Sequence, residues 1–252
     1  MTLAGHPGRH ALVTGASRGL GRAVAVALAG AGHRVSLVAR GQPGLDATAA
    51  QCGPGAHVIT ADLHDAASAA AAVDAAVRAH GPVHVLVHAA APFFPLQRLP
   101  QLSDEDVAAA TGQGLEAAAG LCRAVIPLML GERFGRILMV TSLAASHGAA
   151  GSALYAATKA ALEGLVRALA VDHGRHGITA NALAVAFCDT ERFRERTDAA
   201  GRRRLEAATA LRRIPSPQEV AGVAAWLCSD GAGVVTGAVI PATAGSHLNN
   251  LW

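Results

Sequence analysis

Aromatic side chains are scarce. Two Trp, one Tyr and five Phe make up 3% of the 252 residues, although 52% of the chain is hydrophobic. About 60 residues are Ala, so methyl groups carry the apolar character, which suits closely packed helices. Lysine is scarcer still: of 21 basic residues, all but Lys159 are Arg. The only Tyr, Tyr155, stands four residues before it. Arg is a rigid, permanently charged fork, whereas Lys is a compact ammonium on a flexible stem. A chain that uses Arg almost everywhere therefore keeps Lys159 for work that Arg cannot do.

Other absences bound the function. No run approaches the ~18 uninterrupted apolar residues of a spanning helix, and the opening MTLAGHPGRH carries no apolar signal core. Neither membrane insertion nor secretion is expected. The four cysteines (Cys52, Cys122, Cys188, Cys228) are scattered and form no CxxC pair, which reads as reduced thiols of a cytoplasmic protein. A net charge of +3 is too small for nucleic-acid binding without a concentrated patch. His80, His84 and His88 are four apart, but Gly81-Pro82 breaks any helix, so no metal site is expected. The length suits one large α/β unit, expected over residues 1–252 without linker or repeat.

Short β-branched runs alternate with Ala-rich helical patterns, as in parallel βαβ units. Strands are expected at His10–Thr14, His33–Ala39, Ala56–Thr60, Val83–His88, Arg136–Thr141, Gly177–Asn181 and Val234–Ile240. Helices are expected from the Gly-rich turn to about Ala31 and over Ala66–Ala79. A long one should follow the Ser103 cap, another span Ser152–His173, and a last one run from Pro215-Ser-Pro217 to Cys228.

Thr14-Gly-Ala-Ser-Arg-Gly-Leu-Gly21 lies between an expected strand and an expected helix, the context that gives a glycine motif meaning. Glycines there allow a tight turn and close approach of a pyrophosphate, and the helix start offers N–H groups to phosphate. The second strand ends Val38-Ala39-Arg40, with no acid until Asp46. An acid at that point holds a ribose 2′-OH, whereas an Arg accommodates a 2′-phosphate. Arg40 and Arg18 together select NADP(H) by bidentate pairing.

Residues four apart share a helix face, so Tyr155 and Lys159 point the same way, and a nearby ammonium should lower the phenol pKa. The Gly turn, Asp62-Leu63 after the third strand, Ser142 after the fifth and Tyr155-Ala-Ala-Thr-Lys159 together resemble the short-chain dehydrogenase/reductase superfamily. The likeness covers nearly the whole chain, to Val235-Thr-Gly237, read as opening the last strand.

That resemblance implies a doubly wound α/β Rossmann fold, a parallel sheet of about seven strands with helices on both faces. It implies an NADPH-dependent carbonyl reductase in which Tyr155 protonates the carbonyl oxygen, Ser142 hydrogen-bonds it and Lys159 also holds the nicotinamide ribose. Cofactor contacts would come from Gly15, Ser17, Arg18, Gly19, Leu20, Gly21, Arg40, Asp62, Leu63, Ala89, Val185 and Thr190, with Tyr155 and Lys159. It further implies a small-molecule substrate, a homo-oligomer (dimer or tetramer) and, as a partner to consider, an acyl-carrier protein.

Phe93, Phe94, Phe187 and Phe193 lie where the family lines its pocket, which suits a hydrophobic carbonyl substrate such as a polyketide-like or other specialised metabolite. Arginines crowd the segment 187–213, expected to form a mobile lid: a solvated face, or a basic lid for an anionic substrate or an acidic acyl-carrier partner.

Three positions depart from the family pattern. His88-Ala-Ala-Ala91 replaces Asn-Asn-Ala-Gly, Val185-Ala186 replaces Pro-Gly, and Gly114 falls where the family carries an Asn that braces a proton-relay water. Gly114 is expected to leave room for substrate or an altered water path, so that Gly114→Asn would stabilise slightly. Gln113 should point roughly 100° away from it. The departures keep other readings open: C=N reduction, non-redox chemistry, or an NADP-binding regulatory or structural protein.

Overall fold

The protein, a computed structural model describing residues 8–90 and 97–248, is built on a sheet whose strands are all parallel. The strands are β1 (His10–Thr14), β2 (Arg34–Ala39), β3 (Ala56–Thr60), β4 (Val85–His88), β5 (Gly135–Ser142), β6 (Ile178–Val185) and β7 (Val239–Ala242). Their spatial order is β3-β2-β1-β4-β5-β6-β7. The order reverses between β1 and β4, and in such sheets ligands bind beyond the strand C-termini at that switch point. The expected doubly wound α/β fold is present.

Alternation along each strand divides the core. Ala11, Val13, Val35, Leu37, Val85 and Val87 face one layer of helices. This layer comprises α1 (Gly19–Gly30), α2 (Gln42–Cys52) and the later helix Pro217–Leu227. Leu12, Val38, Leu86, Ile137 and Met139 face the other, formed by α3 (Ala66–His80), α5 (Ala117–Glu132) and α7 (Ala153–His173), with α4 (Asp104–Thr111) and α6 (Ala144–His147) packed on α7. Beyond β6 follow α8 (Glu191–Arg196), α9 (Ala199–Ala207) and then α10, the Pro217–Leu227 helix. Small residues set the helix spacing: a Cβ on Gly120 of α5 would lie 2.7 Å from the Ala66 Cα of α3. The Ala-rich composition thus lets neighbouring helix backbones approach closely.

The helical stretch Asp104–Glu132, mean hydropathy 1.4, is long and apolar enough to cross a membrane. Half of its most apolar window is buried within the fold, where it packs on α3 and α7. It turns once through a π segment, Gly112–Glu116, between α4 and α5.

Several expected boundaries shift. β7 starts at Val239, not Val234; Val234 is exposed, and Asn181 clamps the intervening turn. Its side-chain amide donates to the Val235 carbonyl at 2.8 Å and accepts from Ala238 N–H at 3.1 Å. Val235-Thr-Gly237 therefore precedes the last strand, with Gly237 at φ +72. β6 extends four residues past Asn181 through Ala182–Val185, whose alanines carry little strand propensity. α2 had no expected counterpart, because Leu45 is its only buried large apolar side chain.

Candidate active site

The Gly turn leaves β1 at the switch point, and two of its glycines are required by geometry. Gly15 has φ +68, and a Cβ there would sit 2.7 Å from Ala90 N. A Cβ on Gly21 would overlap the Gly15 carbonyl oxygen, so α1 can start here only without a side chain. Behind the turn, Thr48 Oγ1 donates to Ala16 O at 2.8 Å and Arg22 Nη2 donates to Ser17 O at 2.5 Å. Arg18 caps α1 through its backbone alone, without a side-chain hydrogen bond to the first-turn N–H groups. Those donors and the dipole end suit a phosphate.

A cleft of about 490 Å³ opens above this turn. Gly15, Ser17, Arg18, Gly19, Leu20, Gly21, Arg40, Asp62, Leu63, Ala89 and Thr190 all line it, as expected. The cradle without Cβ atoms, the helix start, and the guanidinium-bearing Arg18 of the turn and Arg40 after β2 fit a dinucleotide with a 2′-phosphate. Gln113, from the π segment, also lines the cleft. Reading the segment as a regular helix missed it, because a π turn changes the angle between successive side chains.

His88 shows how one departure is absorbed. It is fully buried at the end of β4, opposite Thr14 in the β1–β4 register. Thr14 Oγ1 accepts from Ala90 N–H at 3.2 Å and shares a hydrogen bond with His88 Nδ1 at 3.0 Å. Burial, reinforced by the Lys159 charge, pushes His88 down to about 3, so it is neutral. The imidazole thus ties the strand end to the Gly turn.

Adjoining this cleft is a second of about 380 Å³. Leu20, Ala89, Thr190 and Arg192 line both. Tyr155, Lys159 and Val185 line the second cleft with Phe187 and Phe193. Phe93 and Phe94 lie outside the described residues. Ser142, at the end of β5, is buried, accepts from Ala144 N–H at 3.2 Å, and its hydroxyl acts to lower the Tyr155 pKa. Lys159 is 4% exposed and donates to Val140 O at 2.8 Å; burial brings it down to about 8.

The expected depression of Tyr155 by Lys159 is not what the structure gives. The Tyr155 pKa is raised because burial outweighs the opposing influences of the Ser142 hydroxyl and the nearby Arg192 cation. The Lys159 ammonium is turned toward a backbone carbonyl and lies 5.8 Å from the phenol ring centroid. Among cations, Arg192 is the one that favours the phenolate.

Gly114 also differs from expectation. It is buried, and a Cβ there would overlap Thr158 Cγ2, with Thr158 Cβ at 3.3 Å. The room left by the missing side chain is filled by the neighbour of Lys159 and is not open to substrate. Adding a side chain would therefore destabilise the fold, not stabilise it.

These features define a dinucleotide cleft joined to a cleft lined by Tyr155 and Lys159, with Ser142 buried at the end of β5, on a doubly wound sheet, the architecture of a reductase. The family model described as Enoyl-(Acyl carrier protein) reductase matches residues 15–247. The chain is 34% identical to 3-oxoacyl-[acyl-carrier-protein] reductase FabG of Pseudomonas aeruginosa, over 96% of this chain and 98% of that one. It is also 34% identical to (2S)-[(R)-hydroxy(phenyl)methyl]succinyl-CoA dehydrogenase subunit BbsC of Thauera aromatica, covering 91% of each. A crystal structure of 3-oxoacyl (acyl-carrier-protein) reductase from Agrobacterium tumefaciens with NADP bound superposes with TM-score 0.91 at 30% identity, covering 97% and 96% of the two chains. The chain belongs to the short-chain dehydrogenase/reductase superfamily. It is an oxidoreductase of that class and its cofactor is NADP(H).

Proposed function

We propose that the protein reduces the carbonyl of a hydrophobic substrate, with Tyr155 as proton donor. The observation that carries this reading is the placing of Tyr155 and Lys159 in a cleft walled by Phe187 and Phe193 that opens into the dinucleotide cleft. Burial holds the phenol protonated at neutral pH, the state a donor needs. Bound NADPH supplies the hydride. Tyr155 gives its proton to the carbonyl oxygen while the carbon is reduced, so ketone becomes secondary alcohol. Ser142 orients that oxygen and, with Arg192, stabilises the phenolate left behind. Lys159, anchored on Val140 O, lines the same cleft and would hold the nicotinamide ribose.

Two relatives carry acyl groups in their names, one on a carrier protein and one on coenzyme A, which supports a keto thioester or a related polyketide-like ketone as substrate. The reading extends to a unit spanning residues 1–252, acting in the cytoplasm as a homodimer or homotetramer. The test is nicotinamide absorbance against a panel of ketones, imines and enones. Ketone-dependent NADPH oxidation is expected. Turnover of imines alone would assign C=N reduction, and NADPH binding without any turnover would assign a binding protein.

A further inference from the structure

No step of the carbonyl reduction uses His88, yet the residue after it, Ala89, lines both clefts. Side chains alternate along a strand, so His88 points with Leu86 into the layer that contains α7. In the β4–β5 register His88 pairs with Met139, and the Lys159 ammonium donates to the next residue on β5, Val140 O, at 2.8 Å. Neighbouring strands are about 4.8 Å apart, so imidazole and ammonium come to lie close together under the same helix. The charge that acts on the ring is that of Lys159.

The two ring nitrogens differ in their surroundings. Nδ1 is 3.0 Å from Thr14 Oγ1, which also accepts from Ala90 N–H. Nε2 is buried and has no hydrogen-bond partner among the described residues. A neutral imidazole carries one N–H and one lone pair, and a hydroxyl oxygen has two lone pairs. An N–H turned toward an ammonium is repelled, whereas a lone pair is attracted. The proton therefore belongs on Nδ1, where it donates to the second lone pair of Thr14 Oγ1, and Nε2 is left as an acceptor. Other titratable groups surround Lys159: Tyr155 and Glu163 on α7, Glu116 of the π segment, Cys122 of α5, and Cys188 and Arg192 in the cleft wall. Glu163 is engaged by the Thr141 hydroxyl at 3.2 Å, and burial keeps both thiols protonated.

We propose that His88 is a positioning residue for Lys159: fixed by Thr14 as the Nδ1–H tautomer, it offers its Nε2 lone pair to the ammonium and holds it charged and in place at the cofactor cleft. This rests on the reductase reading only for the part Lys159 plays in the reaction. The contacts from Ala90 through Thr14 and His88 then join the Gly turn to the residue that stands one helical turn from Tyr155.

Lys159 is the only lysine, so lysine labelled with ¹³C gives a single ε-carbon signal whose position follows the ammonium charge. The experiment titrates that signal in wild type, His88→Asn, His88→Phe and His33→Phe. His33 is another buried histidine with an unpartnered nitrogen, placed before β2 at the far edge of the sheet, and serves as the control. In wild type, ¹⁵N spectra at pH 7 should show His88 protonated on Nδ1 and bare on Nε2; its signals are those that vanish in His88→Asn. His88→Phe should titrate Lys159 at least about one pH unit below wild type, the size expected for a lost hydrogen bond to a charged group. His88→Asn keeps an acceptor oxygen and should stay within about half a pH unit, and His33→Phe should match wild type. The alkaline fall in kcat/KM should move with the Lys159 titration in His88→Phe, while kcat/KM at pH 6 stays within about twofold of wild type. An Nε2–H tautomer in wild type, or the same Lys159 titration in wild type and His88→Phe, would overturn the proposal. If His88→Phe does not fold, the wild-type tautomer decides. A lowered Lys159 titration in His88→Phe, with no ketone reduced by wild type, would uphold the role of His88 and overturn the reductase reading.

Discussion

Burial governs the chemistry of individual residues in this cleft. It raises Tyr155 and lowers Lys159 to about 8, so at neutral pH the phenol is protonated and the ammonium still charged. As pH rises through about 8, the free protein loses the Lys159 charge. We expect kcat/KM for reduction to fall along that limb and the limb to move to higher pH in Lys159→Arg; a flat profile from pH 7 to 9 would contradict this. Arg18 and Arg40 border the dinucleotide cleft, and no acid ends β2. NADPH should be preferred over NADH by at least about tenfold in kcat/KM, or ~1.4 kcal/mol, and Arg40→Ala should erode that ratio. Equal use of both cofactors would refute it. These residues were legible in the sequence because rarity or position marked them: a sole Lys, a sole Tyr, an Arg where an acid would stand. Gln113 was not, since nothing in its neighbourhood announces a π turn. The source of the Tyr155 shift was not legible either, because the direction of the Lys159 side chain depends on the depth of β5.

At the scale of elements, the meeting of the π segment with α7 is the most sensitive contact. Gly114→Ala would gain about 0.5–1 kcal/mol of helix propensity but overlap Thr158 Cγ2, a clash of the kind that costs about 1–3 kcal/mol. Urea unfolding should show a net loss, and Thr158→Ser, which removes that methyl, should recover much of it. A Gly114→Ala variant more stable than wild type would show that the methyl can move aside. The elements themselves were read from periodicity wherever large apolar residues mark a face, as in α1 or β1. They were misjudged where composition hides the pattern. The second half of β6 is diluted by Ala182 and Ala184, α2 buries a single leucine, and the β-branched Val234-Val-Thr236 imitates a strand while forming a turn held by Asn181.

Across the whole molecule, histidine sets the acid limit. His10, His33, His80 and His84 gather at the N-terminal edge of the sheet, all with pKa lowered chiefly by burial. His10 has no exposed surface. Its Nδ1 lies 2.9 Å from Gly81 O and its Nε2 2.9 Å from Ser36 Oγ, contacts that the neutral ring satisfies. The unfolded chain takes up these protons near pH 6.5, whereas folded His10 does so only near 4 and folded His88 near 3. The stability they confer is full above pH 6.5 and is lost as pH falls from there toward 4. It amounts to about 3 kcal/mol for His10 alone. With two such groups the slope reaches about 2.7 kcal/mol per pH unit, and His88→Asn should halve it. The urea midpoint should drop clearly between pH 7 and pH 5; a constant midpoint would mean that these rings are already solvated in the folded state.

The central claim is that Tyr155 is the proton donor of an NADPH-dependent carbonyl reduction. It is tested most directly by measuring ketone-dependent NADPH oxidation and NADPH affinity side by side in wild type and Tyr155→Phe. The hydroxyl alone is removed, while the ring keeps its place between Ser142 and the cleft. The account predicts that turnover falls by at least about a hundredfold with NADPH binding nearly unchanged. A Phe variant that keeps more than about a tenth of wild-type turnover would contradict it, because general acid catalysis contributes about 10²–10⁴-fold.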